Sequence, residues 1–435
     1  MPRTRLLDLP LRRAVFELAW PAMASTLLVN MFNLVDAFWV GRLGTEALGG
    51  MTASAFVVWC LHAVGQLVGT GVTAVVARRM GERDAGSAGI AAGHGLVLAL
   101  ATGTMLLVLP MQGQVLDILA LPPGARQAAT DYLTPILWGF PLSTTWFALE
   151  AVFRGSGDTR TPMLVLGITL MLNAVLDPLL IFGWDLGIAG AAWATVLSHA
   201  VADALMLMLL VRREVAPRLP RLQRRLFATV MRVGAPVAVS SFLFSVIYIG
   251  LTRIIAAHGD AALAAVGIGH RVEGLVYFTC LGFSTSASAL VGQYLGAGQP
   301  ERAERAAWLS TRYAVLITAS LALLFGLGAP LIFRVFSGDA DVVREGSSYL
   351  RIIALFEVGT ALELVLEGAF AGAGNALPPM LVSVPFTAAR IPLAYLLAAR
   401  MGASGIWWAI SVTTAIKGLL MMGWFRLNRW KSAKV

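Results

Sequence analysis

Leu149 to Leu164 reads LEAVFRGSGDTRTPML, and Leu366 to Leu381 reads LEGAFAGAGNALPPML. The two stretches are near copies 217 residues apart, and the likeness spreads outward from them. Pro21 to Ala88 lies on Pro236 to Ala303 without a gap, so that TAVVARRMGERDAGSA falls on SALVGQYLGAGQPERA and GRLGTEAL on AAHGDAAL. GIAGAAWA at Gly187 likewise matches GASGIWWA at Gly402. Four matches in one order, at offsets of 215 or 217 residues, mark an internal duplication of about half the chain.

Composition identifies what was duplicated. Of the 435 residues 58% are hydrophobic and 13% charged, with a mean hydropathy of +0.76, against about 25% charged residues in a soluble domain. Apolar stretches long enough to cross roughly 30 Å of hydrocarbon at about 1.5 Å per residue recur throughout. They lie near 14–41, 48–76, 87–110, 129–153, 161–183, 187–211, 228–256, 263–291, 306–335, 346–371, 379–400 and 403–427, which gives twelve spans, six per repeat. The fold class is an all-α integral membrane protein of two six-helix lobes. The expected organisation is a tail 1–13, an N-lobe 14–211, a basic linker 212–227 carrying Pro217 and Pro220, a C-lobe 228–427 and a tail 428–435.

The basic residues supply an orientation. Arg3, Arg5, Arg12, Arg13, Arg78, Arg79, Arg83, Arg154, Arg160, the linker arginines, Arg302, Arg305, Arg426, Arg429, Lys431 and Lys434 all fall on one side of this arrangement. Only Arg42, Arg126, Arg334, Arg344 and Arg400 are scattered opposite. The positive-inside rule therefore places both termini in the cytoplasm of a multi-pass inner-membrane protein with no cleavable leader. The net charge of +9 follows from topology and anionic headgroups, with no nucleic-acid partner required. Cys60 and Cys280 sit inside apolar stretches and form no disulfide framework. Six spans per repeat is an even number, so both repeats enter the membrane in the same direction, as in two-lobed alternating-access transporters.

Polar groups that a membrane makes expensive point to the working site. Asp36 lies in the first span, Asn173 and Asp177 four residues apart on one face of the fifth, and Thr195 in the sixth. Counted from the tight outer turn at Trp184 to Leu186, Asp177 and Thr195 are both roughly 13 Å deep, and Asp36 is about 10 Å below its own turn. The four side chains are expected to meet. Two carboxylates, an amide oxygen and a hydroxyl are hard oxygen donors for a small cation such as Na⁺, and the carboxylates alone could share a proton. The competing reading, in which Asp177 caps or pairs locally and Asn173 only packs, is disfavoured because the first, fifth and sixth spans offer no Lys or Arg at that depth. The second repeat has Leu251, Arg390, Ala394 and Ile410 at the four equivalent positions. It offers a different polar set of Glu273, Glu363, Glu367, Arg271 and Arg390, in which a Glu363–Arg390 ion pair is expected and Glu273 is left unpaired.

These residues resemble the multidrug and toxic compound extrusion (MATE) family of cation-coupled antiporters. The likeness rests on LAWPAMASTLLVNMFNLVDAFWVGRLGTEALGG, FRGSGDTRTPM, NAVLDPLLIFG and ARIPLAYLL in that order, and covers essentially the whole chain. Asp36, Asn173, Asp177 and Thr195 resemble the H⁺ or Na⁺ site of the branch similar to the DNA-damage-inducible protein F transporters, where a proline in the first helix, here Pro21, is associated with bending. The resemblance implies an H⁺- or Na⁺-driven exporter of amphipathic organic cations or other xenobiotics, working as a monomer without a cofactor, through a cavity to which Met31, Phe32 and Tyr248 are candidate contributors. The nearest alternative is a flippase for lipid-linked sugars of the same superfamily, which would need several cavity-lining Arg or Lys where only Arg253 and Arg271 occur. A membrane-embedded transferase would need an acidic metal motif or a histidine cluster, but His62, His94, His199, His258 and His270 are dispersed. Gly155-Ser156-Gly157 and Gly372-Ala373-Gly374 follow helices rather than strands and lack a Gly-Lys-Ser/Thr, so they are inner turns and not phosphate loops.

Overall fold

The structure is a computed structural model, and it describes residues 6–107, 113, 116–117, 121–219 and 222–433. Arg3, Arg5, Pro220, Arg221 and Lys434 lie outside the described residues, as does the end of the third expected span beyond Leu107.

The first repeat forms α1 (Leu11–Val40), α2 (Thr45–Gly81), α3 (Ala85–Leu107), α4 (Pro123–Trp138), α5 (Phe140–Gly155), α6 (Arg160–Pro178) and α7 (Gly187–Val211). The second forms α8 (Arg224–Ala256), α9 (Asp260–Gly296), α10 (Pro300–Phe336), α11 (Ala340–Ala354), α12 (Glu357–Gly372), α13 (Leu377–Ala388), α14 (Arg390–Met401) and α15 (Ala403–Arg426). Among the described residues ten helical stretches are long and apolar enough to cross a membrane, with α13 and α14 counted together. The bent pair α4 and α5 makes an eleventh. The pair α11 and α12 occupies the place in the second repeat that α4 and α5 occupy in the first, and completes six crossings in each half.

Three expected continuous spans are broken, one of them at Ala389 between α13 and α14. α4 and α5 meet at 53°, where Gly139 separates Pro135 from Pro141. Proline supplies no N–H to the ladder and its ring crowds the preceding turn, so a glycine between two prolines is where the helix gives way. α11 and α12 break at Leu355 and Phe356, where Phe356 N bonds Ile353 O at 2.9 Å in a tighter turn.

The duplication extends to single backbone conformations. Gly44 and Gly259 have φ of 116° and 105°, Arg83 and Gly298 of 62° and 70°, Gly157 and Gly374 of 88° and 83°, and Gly187 and Gly402 of 54° and 61°. Each pair ends or starts a helix at the same point of its repeat. The helix-ending bonds repeat as well. Asp84 N donates to Arg79 O at 3.0 Å and Gln299 N to Tyr294 O at 2.8 Å, while Asp158 N reaches Phe153 O at 2.9 Å and Asn375 N reaches Phe370 O at 3.0 Å. These are six-to-one closures that satisfy orphan carbonyls after a left-handed residue. The FRGSGDTRTPM motif is accordingly a turn. The Asp158 carboxylate accepts from the N–H groups of Arg160 and Thr161, capping α6, and takes a 2.6 Å ion pair from Arg213.

The chain packs as two compact units whose borders differ from the ends of the repeats. The first unit runs Ala24–Ala238; the second takes the chain up to Met23 and resumes at Val239. Both changes of unit occur inside a helix, three residues past Pro21 in α1 and three past Pro236 in α8. Thus Ala14, Val15, Leu18 and Ala19 are core residues of the second unit, and Ser286 Oγ donates to Val15 O at 3.1 Å there. The start of α8 packs closely on α2 in the other unit, where a Cβ at Gly234 would clash with Leu67 O.

The second unit has one large apolar cluster running its length. In the first unit the core is split. One cluster holds Val68, Val72, Val75, Val76, Val165, Leu166, Ala202, Met206 and Leu210, a second Val40, Tyr132, Ile136, Ile181, Ile188 and Val196, and a small third Leu116, Ala129 and Leu133. The residues left between the clusters along α2, α6 and α7 include His62, Asn173, Asp177, Ser198 and His199, a polar belt at mid-depth.

Candidate functional site

α6 carries Asn173 and Asp177 one turn apart, both fully buried, and Asn173 Nδ2 donates to Asp177 Oδ1 at 3.2 Å. Pro178 follows at once. Because it cannot donate to the ladder, the helix widens into a π turn over Leu179–Gly183 before Asp185 at φ 54° reverses the chain. That reversal sends α7 back beside α6 and sets Thr195 opposite the acids. Thr195 Oγ1 donates to Asp36 Oδ2 at 3.2 Å, joining α7 to α1 across 159 residues of sequence. The side chains of Asp177 and Asn173 lie next to Asp36. The four residues chosen from sequence are therefore brought together at one place.

The site is incompletely satisfied. Asp36 Oδ1, Asn173 Oδ1 and Asp177 Oδ2 are buried without a hydrogen-bond partner. Among the described residues no Lys or Arg pairs with either acid. Buried polar atoms are nearly always bonded, and each exception needs a physical account. Three inward-facing oxygens, two of them on carboxyls that cannot both hold a charge cheaply in a low-dielectric setting, suit either a shared proton or a small oxygen-seeking cation.

Several neighbours escaped the sequence reading. Tyr132 on α4 is buried beside both acids. It would have been found by asking which aromatic of the fourth span lies at their depth. Thr195, His199 and Asp203 recur every four residues, so they share one face of α7. His199 sits 3.5 Å from Ser143 Oγ and stacks on Phe32 with ring centroids 6.0 Å apart. Asp203 is buried with neither carboxyl oxygen bonded. Asp203→Leu is expected to stabilise the fold by about 1–3 kcal/mol, the cost of an unsatisfied buried polar group. Thermal unfolding in detergent micelles checks this, and a lowered midpoint would mean that the carboxyl has partners.

In the second unit the polar set pairs differently from expectation. Glu363 forms its ion pair with Lys417 of α15, Oε1 to Nζ 2.8 Å, and also accepts from Ser383 at 2.8 Å. Arg390 instead donates to the hydroxyls of Thr413 at 3.0 Å, Thr414 at 2.7 Å and Tyr248 at 2.9 Å. The expected Glu363–Arg390 pair is thus corrected. Lys417 reaches Glu363 from another helix, and counting residues from a shared turn cannot show how a helix is rotated. Glu273 contacts Tyr349 and lies near Glu357, with Oε1 unbonded, and Glu367 lies near Glu363. Arg271 is exposed. Of the candidate cavity residues, Met31 is exposed, Phe32 is buried and Tyr248 is half-buried. Among the described residues no cluster of three His, Cys, Asp or Glu is arranged to hold a metal.

The MatE family model matches residues 21–179 and again residues 236–396, once per repeat. The chain is 29% identical to the probable multidrug resistance protein NorM of Thermotoga maritima, over 98% of this chain and 94% of that one. It is 26% identical to the FAD transporter of Shewanella oneidensis, over 96% and 95%. A solved structure of a multidrug resistance MATE family transporter in an outward-facing conformation superposes with a TM-score of 0.92 at 24% identity, covering 100% of this chain and 99% of that one. With both repeats matched and six crossings in each half, the chain belongs to the MatE family, a family of multi-span membrane transporters.

Proposed function

We propose that this protein is a secondary active exporter of amphipathic or cationic organic compounds, driven by inward flow of H⁺ or Na⁺ through Asp36, Asn173, Asp177 and Thr195. The observation that carries the proposal is the buried acid pair with Asn173, which together hold three unbonded oxygens and have no basic partner among the described residues. Names of the relatives support the direction and breadth of transport: one is a multidrug resistance protein and another an FAD transporter, so cargo within such relatives spans unlike chemistries.

Cation entry changes the charge at Asp36 on α1. The same helix passes from one packing unit to the other just after Pro21, where the backbone lacks one donor. A change in charge at one end of a helix with a weak point at the other is a means of biasing two conformations, and Pro21 serves as the hinge. The chain works in a bacterial inner membrane with both termini cytoplasmic, in keeping with its basic loops, and as a monomer. The four-residue match to the DNA-damage-inducible protein F branch supports coupling in the first unit, and the ion pair with Lys417 makes Glu363 of the second unit a poor carrier.

Purified protein in proteoliposomes, loaded with a fluorescent organic cation, tests this. Dye is expected to move against its own gradient when a pH or a Na⁺ gradient is imposed separately. If neither gradient moves dye while both collapse normally with ionophores, cation coupling is wrong.

A further inference from the structure

Sequence counting left five arginines on the side opposite the basic loops. Two have partners: Arg42 stacks on Phe38 and Trp39, with its guanidinium 4.5 Å and 4.8 Å from the ring centroids, and Arg126 pairs with Asp117. Two of the remaining three, Arg334 and Arg344, converge with Arg351 on one open cavity of about 920 Å³ formed by the end of α10 and one face of α11. Ser347 lines it, and Pro330 and Ile352 form an apolar part. None of this belongs to the cation site, which lies in the other unit.

α11 has two chemically distinct faces. Val342, Tyr349, Leu350 and Ile353 are buried in the unit's core. Arg344, Ser347, Ser348 and Arg351 recur at three- and four-residue spacing on the other face and line the cavity. Arg344 is partly neutralised by Asp341 at 2.7 Å, but Arg334 and Arg351 form no ion pair among the described residues. The cavity is therefore net positive. Arg351 is exposed and stands 11 residues, about 17 Å, along α11 from Ala340, on a helix that leads into the membrane. An exposed guanidinium at such depth is costly unless an anion meets it.

We infer that this cavity binds an anionic phospholipid, its phosphodiester between Arg334, Arg344 and Arg351 and its acyl chains against Pro330 and Ile352. Paired arginines suit phosphate oxygens, and basic pockets between membrane helices hold acidic headgroups. The apolar inner part favours a lipid over free phosphate. A zwitterionic headgroup would bring an amine towards three arginines, with only Asp341 to receive it.

The test is native mass spectrometry of the full chain in detergent, titrated with phosphatidylglycerol, with phosphatidylcholine of the same chains, and with inorganic phosphate. Phosphatidylglycerol is expected to bind well ahead of phosphatidylcholine, and the double variant Arg334→Gln/Arg351→Gln to weaken it roughly thirtyfold, two basic contacts' worth. The charge-keeping pair Arg334→Lys/Arg351→Lys should retain most of the preference and guards against a folding defect. Equal binding of the two lipids by the unaltered chain overturns the inference, as does an undiminished preference in the glutamine variant. Displacement of phosphatidylglycerol by low-millimolar phosphate would make this a free-anion site instead.

Discussion

Asp36→Asn in proteoliposomes is expected to equalise the organic cation across the membrane under any imposed gradient, while the unaltered chain concentrates it. A difference of two pH units supplies about 2.7 kcal/mol per proton, enough for a ~100-fold concentration ratio in one-for-one exchange. Asparagine keeps the shape and can still accept from Thr195 Oγ1, which now bonds Asp36 Oδ2 at 3.2 Å. It holds no exchangeable charge. A ligand shifts a conformational equilibrium only by its differential affinity for the two states, so a site that no longer binds the cation differently in each state transmits nothing. Exchange of labelled for unlabelled dye at equal pH should survive, which separates loss of coupling from loss of folding. Asp177→Asn should behave alike, because Asp177 lies beside Asp36 and, like it, has one buried oxygen without a partner. Full gradient-driven accumulation by Asp36→Asn would place the coupling site elsewhere, with Glu273 the next group to alter.

Lys417→Met is expected to be the most damaging single change in the second unit, lowering stability by about 3–5 kcal/mol, because removing one member of a buried ion pair strands the other charge. The pair is well enclosed, the side chains being 4% and 10% exposed for Lys417 and Glu363. After the change Glu363 would retain only the Ser383 hydroxyl at 2.8 Å. Lys417 also reaches Thr387 Oγ1 at 3.3 Å, so α15 would lose a tie to α13. The double variant Lys417→Met/Glu363→Leu should recover most of the loss, since two apolar groups of similar size leave nothing unpaired. Thermal unfolding of the four proteins gives the coupling energy as a cycle. Equal effects of the single and double changes would mean that Lys417 acts through packing alone.

The candidate site was largely visible before folding, for a reason specific to membranes. Acids are so costly in an apolar span that Asp36 and Asp177 stood out by type alone, and helical rise along spans joined by a tight turn put them at one depth with Thr195. The same arithmetic misassigned Glu363. Its distance from the inner turn matches that of Arg390, but depth leaves open which side of the helix faces which neighbour, and rotation turned Arg390 to three hydroxyls and Lys417 to the acid. Tyr132 was passed over because a single aromatic carries no spacing signal until its neighbours are known, whereas Asp203, an acid in an apolar span four residues beyond His199 and eight beyond Thr195, was legible by the same rule that picked out Asp36.

Residue type and order alone determined the membrane class, the doubling, the inventory of polar groups and the turns at Gly44, Gly157, Gly187 and their partners. Hydropathy is a sum over a segment, and a left-handed turn is decided within a few residues. Tertiary structure decided what depends on two distant surfaces meeting. It broke the span at Gly139, divided α1 and α8 between packing units near Pro21 and Pro236, paired Glu363 with Lys417, and drew Arg334, Arg344 and Arg351 around one cavity. Helix rotation and close approach are set by the fit of side chains into neighbouring grooves, which no single stretch of chain contains.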